Sequence, residues 1–464
     1  MAQPEKFDAL VIGAGQAGVP LSRALAASGR RTAIVEREHV AGTCINEGCT
    51  PTKTMIASAR AAYSARRAGL YGVLTGAVSV DMRKVRQRKR DIVLSWRESS
   101  ERRILDTEGL ELIRGEARFT GPLTIEVRLP GGSVRCLSAK TIVINAGTRP
   151  RVPDLAGLAE VPYLTSTSIM ELDRVPEHLL ILGGGYVAAE FAQMFRRFGS
   201  AVSIVERGGQ LLGQEDPDVA QALADIFAQD GIEVLLESRA RSVAAGKDGG
   251  LRLRLSTPAG ERTLEGSHLL LAVGRTPNTD SLQPEAGGVR LDARGFIVAN
   301  DRLETTAAGV YAAGDLKGGP AFTHIAYDDF RVLRTNLLGE GGASIDGRLV
   351  PYTVFTDPEL GRVGLTEKQA RELGRSVKVA QLPMDYVARA LEIEETRGFM
   401  KAVVDLPSDQ ILGAAVLAIH GGELMALIQV AMMGRVTAST LREGIFTHPT
   451  FAESLNNLFA SWRE

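Results

Sequence analysis

The chain has 464 residues, of which 44% are apolar, and its formal net charge is −1. This length suffices for about three domains of roughly 150 residues each, and the charge balance disfavours a nucleic-acid-binding or polybasic membrane-binding protein. No apolar run approaches the roughly 20 residues that a membrane helix needs, and the opening MAQPEKF resembles neither a signal nor a transit segment. We therefore expect a cytoplasmic protein with no nucleic-acid or membrane partner.

The segment from Asp8 to Glu36 contains an apolar strand, a glycine-rich turn, an amphipathic helix and a second strand that closes with the acid. Gly13 permits the tight turn, Gly15 lets the backbone approach a pyrophosphate, and Gly18 allows helix and strand to pack closely. The helix N-terminus presents N–H groups and a positive dipole end to a phosphate, and Glu36 can accept hydrogen bonds from a ribose. This pattern predicts a dinucleotide-binding unit.

The same plan returns between His178 and Glu206. Gly183 and Gly185 are kept, and Ala188 takes the third position, where a small side chain still allows close packing. The same number of residues separates the first glycine from the closing acid in both copies. One such motif is weak support for a nucleotide site, but two in one chain, each after an apolar strand, predict two dinucleotides.

Two of the three cysteines, Cys44 and Cys49, lie in the stretch GTCINEGCTPTK just beyond the first acid. Three cysteines are too few for a disulfide scaffold, and no companion pair of ligands completes a zinc site, so we predict no metal. The following residues predict a helix with Thr50 as its N-cap, whose positive end, together with Lys53, favours a thiolate. A structural disulfide and a metal site remain as alternatives to the favoured redox dithiol; Cys136 is interpreted as a structural thiol.

These motifs, with TTAAGVYAAGD and FTHPTFAE further along, resemble those of the FAD-dependent pyridine nucleotide-disulfide oxidoreductases over essentially the whole chain and in the same order. The resemblance implies an α/β fold with two Rossmann-like dinucleotide-binding domains, for FAD and NAD(P), and a C-terminal α+β dimerisation domain. It implies a discontinuous FAD domain at residues 1–150 and 276–345, an NAD(P) domain at 151–275 and the interface domain of a homodimer at 346–464. The crossings NAGTRPRVPDL and AVGRTPNTDSL, which follow apolar strands, support these cuts.

The resemblance also assigns the cofactor sites. The residues expected to bind FAD are Gly13, Gly15, Gly18, Glu36, Thr43, Lys53, Gly147 and Asp315. The residues expected to bind NAD(P) are Gly183, Gly185, Ala188, Glu206, Arg207 and Gly274. By the resemblance, Glu36 holds the adenosine ribose of FAD and Asp315 its ribityl and pyrophosphate region. Lys53 lies near the flavin N5 and pairs with Glu190, because a carboxylate offsets the cost of burying the ammonium.

The residues expected to act in catalysis are Cys44, Cys49, Lys53, Glu190, His448 and Glu453. By the resemblance, Cys49 exchanges electrons with the flavin and Cys44 attacks the substrate disulfide. His448, oriented by Glu453, supplies the acid–base function that thiol exchange needs. It reaches Cys44 of the partner subunit, so one active site uses two chains. The stretch GGELMALIQVAMMGRVTASTLREGIF predicts an apolar helix that could bury the dimer interface.

Some positions depart from the family pattern. Ala41 precedes Gly42 where relatives carry two glycines, and alanine tolerates positive φ poorly, so we expect a slightly different loop. Glu47 lies between the cysteines, where its charge should raise the pKa of a neighbouring thiol. At the second motif, Glu206 favours NADH because it repels a 2′-phosphate, whereas Arg207 favours NADPH; we expect NADH.

Two sets of sequence features disagree about the substrate. VFTDPELGRVG and VARALEIEETRGFMK look most like the mercuric reductases. The chain nevertheless ends in NNLFASWRE without the C-terminal Cys pair of those enzymes, has no N-terminal C-x-x-C domain, and keeps His448. We therefore predict a reductase, or reversible dehydrogenase, of a small disulfide such as lipoamide. A flavin reductase acting on a metal ion, quinone or oxygen, and a non-enzymatic redox sensor, remain alternatives.

Overall fold

A computed structural model describes residues 3–246 and 249–463 of the chain. The strands of its N-terminal part are β1 (Glu5–Ile12), β2 (Thr32–Glu36), β3 (Leu110–Arg114), β4 (Glu116–Gly121), β5 (Thr124–Arg128), β6 (Val134–Ile144), β7 (Thr148–Pro150), β8 (His178–Leu182), β9 (Ala201–Val205) and β10 (Ile232–Leu235). Those that follow are β11 (Arg239–Ala245), β12 (Leu251–Thr257), β13 (Gly260–Gly266), β14 (His268–Leu271), β15 (Arg275–Pro277), β16 (Val310–Ala312), β17 (Tyr352–Val354), β18 (Glu359–Gly364), β19 (Val377–Pro383), β20 (Phe399–Asp405) and β21 (Ile411–Ala418).

The α-helices vary from single turns to a helix of 24 residues. They are α1 (Gly18–Ala27), α2 (Gly42–Asn46), α3 (Cys49–Arg67), α4 (Met82–Leu105), α5 (Tyr186–Phe198), α6 (Pro217–Gln229), α7 (Thr323–Leu338), α8 (Glu367–Glu372), α9 (Ala388–Glu392), α10 (Gly421–Met433), α11 (Ala438–Glu443) and α12 (Ser454–Leu458).

The first compact unit contains the chain up to Thr54 together with Gln87–Arg151 and Arg275–Arg348. Its centre is a parallel sheet in the order β3-β2-β1-β6, with β16 also paired to β6, and β5 and β4 extend it as antiparallel strands. Leu10 and Val11 of β1 are fully buried, because a central parallel strand is covered on both faces.

The carboxyl ends of these strands bring the first glycine motif to one edge of the sheet. Gly13 follows β1 and Glu36 closes β2. Asn145 follows β6, and Ala313 follows β16. In open α/β sheets, ligands bind beyond the carboxyl ends of the strands. This edge is therefore where the topology favours a cofactor site.

The second compact unit contains Met55–Arg86, Val152–Gly274 and the chain from Leu349 onward. A parallel sheet in the order β10-β9-β8-β14 carries the second glycine motif at the end of β8. An antiparallel three-stranded sheet, β11-β12-β13, follows it in sequence. The C-terminal part forms an antiparallel sheet in the order β17-β18-β21-β20-β19, on which α10 packs. The predicted α/β fold class is thereby confirmed, with an α+β C-terminal part.

The apolar stretch near the C-terminus forms two helices, α10 and α11, where we predicted one. The chain leaves the helical path after Met433, and Arg435 has a positive φ of 54°, a conformation that a continuing helix does not contain. α10 buries one side, including Leu424 and Ile428. On its other side Val430 and Met433 remain 66% and 67% exposed in the single chain, as a surface reserved for another subunit would be.

The expected domain boundaries stay a prediction. The second compact unit holds nearly all of the expected NAD(P) and dimerisation domains, together with Met55–Arg86. Within the described parts of the chain, no helix is long and apolar enough to cross a membrane.

Candidate active site

The first glycine motif and its closing acid are joined by hydrogen bonds. Gly13 turns the chain with φ of +101°, which a residue with a Cβ adopts at a cost. The Glu36 carboxylate then accepts from the N–H of Ala14 through Oε2, at 2.8 Å, and from the N–H of Glu38 through Oε1, at 2.8 Å. A carboxylate has about four acceptor positions, so Glu36 retains capacity for a ribose.

The second motif repeats this arrangement. Gly183 turns the chain with φ of +106°. Glu206 accepts from the N–H of Gly184 through Oε2, at 2.5 Å, and from the N–H of Gly208 through Oε1, at 2.6 Å. Both acids therefore brace their glycine loop, and their expected contact with a ribose stays a prediction.

The first motif also has the features that a pyrophosphate requires. Within the described residues, no acceptor binds the backbone N–H groups of Gly15, Gln16 and Ala17, which lie just before α1. Such unpaired N–H groups at the start of a helix bind phosphates. A Cβ added to Gly42 would lie 2.8 Å from the Cα of Gly15, so the redox segment approaches the glycine loop as closely as backbone allows. The residues present thus fit the FAD that the sequence predicts.

Asp315 lies in a turn directly after β16 and Gly314. Burial raises the pKa of the Asp315 carboxyl, while the positive charge of Arg275 and a hydrogen bond from Thr148 oppose this rise. Thr148 Oγ1 donates to Asp315 at 3.3 Å and accepts from Arg275 Nε at 2.7 Å. Gly147, which precedes Thr148, has φ of +66°, and a Cβ added to it would meet no atom within 4 Å. This turn can therefore admit a ligand.

Cys44 lies in α2, and Cys49 is the first residue of α3. The predicted N-cap at Thr50 is two residues late, because α3 begins at Cys49 and the carbonyl of Gly48 already accepts from the N–H of Thr52. Neither cysteine forms a disulfide in the structure. Cys49 lies at the positive end of a helix of 19 residues, where a thiolate is stabilised.

The two thiols interact strongly with each other. A hydrogen bond with Cys49, burial and the negative charge of Cys49 all raise the pKa of the Cys44 thiol, whereas Thr323 and the Lys53 ammonium lower it. Cys49 Sγ also lies 3.3 Å from Thr323 Oγ1. A charge on Cys49 therefore opposes ionisation of Cys44. The effect that we expected of Glu47 on these thiols stays a prediction.

The loop before the dithiol turns through two consecutive residues with positive φ. Ala41 lies in the left-handed region, with φ of +79° and ψ of −2°, and Gly42 follows at φ of +64°. The alanine accepts strain of about 1 kcal/mol in this turn, and our expectation that the loop differs slightly from that of relatives stays a prediction. Thr43 comes next and is exposed.

The remaining nucleotide-binding candidates occupy varied surroundings. Ala188 is fully buried in α5, consistent with a packing role. Arg207 and Gly274 are exposed.

Glu190 is buried in α5 and accepts from the N–H of Phe355 at 2.9 Å. Its predicted pairing with Lys53 stays a prediction.

His448 and Glu453 are in contact near the C-terminus. His448 Nδ1 lies 2.9 Å from Glu453 Oε2 and 3.1 Å from Oε1. Since the carboxylate can only accept, Nδ1 carries the proton and Nε2 is left for exchange with a substrate. The imidazole is 71% exposed in the single chain. Across the described residues, no group of three or more His, Cys, Asp or Glu side chains is placed to hold a metal ion.

One residue of this site was missed by sequence reasoning. Asn145 is buried between the first glycine motif and the turn after β16, and its side chain hydrogen-bonds to both. Its only sequence signal is its place directly after the apolar strand β6 and before Ala146 and Gly147.

Comparison with known proteins agrees with this geometry. Residues 7–329 match the family model of the pyridine nucleotide-disulphide oxidoreductases, and residues 350–459 match their dimerisation domain. The chain therefore belongs to this family. It is an oxidoreductase that uses FAD and a pyridine nucleotide, and its C-terminal part is a dimerisation domain that supports a homodimer.

Among its relatives, the probable pyridine nucleotide-disulfide oxidoreductase RclA of Escherichia coli is 37% identical over 98% of this chain and 99% of its own. A structure of that protein, a flavoprotein disulfide reductase induced by HOCl and solved as a Cu(II) complex, superimposes with a TM-score of 0.90 over 98% of this chain and 99% of its own. A mercuric reductase of Bacillus cereus is 35% identical over 97% of this chain and 70% of its own. A dihydrolipoyl dehydrogenase of Chlamydia muridarum is 32% identical over 97% and 95%.

Proposed function

We propose that the protein passes electrons from NADH, through FAD and the Cys44–Cys49 pair, to a small disulfide such as lipoamide. The observation that carries this proposal is the pair of interacting thiols placed directly after a braced dinucleotide motif. Bound FAD would relay an electron pair between the nicotinamide and the two cysteines. The first motif, the turn at Asp315 and the Lys53–Glu190 pair would hold and tune it, with the second motif receiving NADH.

The disulfide chemistry follows from the two thiols and one base. The Cys44 thiolate attacks one sulfur of the substrate disulfide, forms a mixed disulfide and releases the first substrate thiol. The Cys49 thiolate then attacks Cys44 Sγ, which closes the Cys44–Cys49 disulfide and releases the second thiol. Two electrons leave the cysteine pair and reduce the substrate, and two electrons from NADH restore the pair.

Proton transfer requires the pair His448–Glu453. The pKa of the Cys44 thiol is raised in the reduced pair, so this thiol needs a base at neutral pH, and the leaving thiolate needs an acid. His448 has its Nδ1 fixed by Glu453, which leaves Nε2 for both transfers. We propose that it serves Cys44 of the partner subunit, so that the homodimer has shared active sites.

The second motif supports NADH over NADPH. Glu206 lies at the end of β9 with both oxygens near the glycine loop, where a 2′-phosphate would meet its negative charge. Arg207 is exposed and makes no described contact with this carboxylate. We also propose the three domains with the boundaries given above. A reducing cytoplasmic location suits a chain whose cysteines form no structural disulfide.

The test is NADH oxidation by the purified protein, under anaerobic conditions, with lipoamide as the only acceptor. We expect rapid turnover that is lost in Cys44→Ser. In His448→Ala, turnover should fall by about 10²- to 10⁴-fold, and the loss should shrink as pH rises because more of the Cys44 thiol ionises without a base. Flavin reduction by NADH without lipoamide turnover would contradict lipoamide as substrate. Undiminished turnover in Cys44→Ser would contradict the dithiol route and favour a quinone or a metal ion as the acceptor.

A further inference from the structure

Asn145 joins two loops that are far apart in sequence. Its Oδ1 accepts from the N–H of Gly18 at 3.0 Å, and its Nδ2 donates to the carbonyl of Ala313 at 2.8 Å. The backbone N–H of Asn145 donates to Ile12 at 2.7 Å, which fixes the residue at the end of β6. The side chain is buried, with 8% exposure, so neither hydrogen bond competes with bulk water.

The far side of the same turn is held by a second buried side chain. Asp329 of α7 has no exposed surface, and its Oδ2 accepts from the N–H of Gly314 at 2.8 Å. Arg348 donates to its Oδ1 at 2.8 Å, and Lys317 lies 3.3 Å from Oδ2. The charge of Asp329 is therefore paired on both oxygens, and the turn that carries Asp315 is held from two directions.

The side-chain amide of Asn145 is tightly packed against two glycines, Gly15 and Gly314. A Cβ on Gly15 would come within 2.8 Å of Asn145 Oδ1, and a Cβ on Gly314 would come within 2.8 Å of Nδ2. Real Cβ atoms do not approach other atoms so closely. The glycines on either side of Asn145 thus let both loops close on its amide group.

The second motif provides an internal comparison. Ala272 holds the place of Asn145, because it follows β14 and its N–H donates to Leu182 at 2.8 Å. Alanine has no amide to connect two loops. Accordingly, a Cβ on Gly185, the counterpart of Gly15, would meet nothing within 4 Å.

We infer that Asn145 is a positioning residue for FAD: it joins the glycine loop that would bind the pyrophosphate to the turn that carries Asp315. This inference rests on the proposal that the first motif holds FAD. Loops that are already in their binding conformation lose less entropy when the ligand binds. The second motif lacks this connection, as suits a nucleotide that must leave after each turnover.

The test measures the release of FAD from purified holoenzyme, by recovery of free-flavin fluorescence after dilution, together with NADH affinity. In Asn145→Ala, we expect FAD release to accelerate by about tenfold or more, since two buried partners lose their hydrogen bonds, while NADH affinity stays within about twofold. Asn145→Asp keeps the shape and the acceptor for Gly18, but turns a carboxylate oxygen toward the Ala313 carbonyl, so it should also release FAD faster. Ala272→Ser, the matched change in the second motif, should leave FAD release unchanged.

Release of FAD at the wild-type rate from Asn145→Asp would overturn the inference, even if Asn145→Ala does not fold. A parallel loss of FAD and NADH affinity in Asn145→Ala would also overturn it, because it would indicate general destabilisation. The measurement uses no disulfide, so failure of lipoamide turnover would contradict the proposed substrate without touching this inference.

Discussion

The two glycine motifs have the same backbone plan and different surroundings. In each, a glycine with φ above +100° starts the turn, and an acid at the end of the second strand accepts from two backbone N–H groups. The first motif, however, is followed by Cys44 and Cys49, and the side chain of Asn145 hydrogen-bonds to it. After the second, the chain continues with Leu211 and Leu212, which are buried apolar residues.

This difference distinguishes the features that bind a dinucleotide from those that connect it to redox chemistry. We expect the shared geometry to bind ribose and pyrophosphate, and it appears twice. Retention of one cofactor and its connection to a dithiol require contacts from outside the motif. In the first unit, contacts of this kind are made by Asn145, by Cys49 with Thr323, and by Asp329 of α7.

The largest expected effect concerns the dithiol, which only the first motif has. Cys44→Ser should lower lipoamide turnover by more than about a thousandfold, as loss of a nucleophile does. FAD content and NADH affinity should not change, because Cys44 is outside both motifs. Steady-state kinetics with flavin absorbance measures both effects, and Cys136→Ser is the matched control that should retain full turnover. Loss of FAD in Cys44→Ser would show that the dithiol and the first motif are not separable.

The next largest effect compares Gly15→Ala with Gly185→Ala. The first introduces a Cβ 2.8 Å from Asn145 Oδ1, whereas the second meets no atom within 4 Å. Gly15→Ala should cost about 1–3 kcal/mol of unfolding free energy through overpacking, and Gly185→Ala less than about 0.5 kcal/mol. Urea unfolding measures this difference. The cost of Gly15→Ala should shrink in an Asn145→Ala background; equal costs in both backgrounds would refute the contact.

A smaller effect concerns the acids. Glu206→Gln removes the charge that opposes a 2′-phosphate, so the ratio of kcat/KM for NADH to that for NADPH should fall by about tenfold. Glu36→Gln, the same change in the first motif, should leave this ratio unchanged. An unchanged ratio in Glu206→Gln would mean that Arg207 or another group decides between the nucleotides.

The smallest expected effect is at Ala41, which begins the redox segment after the first motif. Because Ala41 has φ of +79°, Ala41→Gly relieves strain and should stabilise the protein by up to about 0.5 kcal/mol, net of the greater freedom of glycine in the unfolded chain. Ala244→Gly, in the regularly paired part of β11, is the control and should destabilise. Thermal unfolding distinguishes the two; destabilisation by Ala41→Gly would contradict the strained turn.

Sequence reasoning predicted those features of the two motifs that have a local pattern. The two glycine motifs with their acids and the paired cysteines have fixed spacing, so the fold class and the two dinucleotide units could be predicted. Asn145 could not, because its partners Gly18 and Ala313 lie 127 and 168 positions away along the chain. The break between α10 and α11 was also missed, since apolar periodicity continues across Gly434 and does not report where the backbone turns.

The most direct test of the central claim is an anaerobic titration with NADH, without any acceptor, followed by flavin absorbance and by thiol counting. If FAD and the Cys44–Cys49 disulfide are in series, oxidised wild-type protein should take up twice as many NADH equivalents as Cys44→Ser, and the additional pair of electrons should appear as two new thiols. Equal uptake by the two proteins, with no new thiols, would contradict the account.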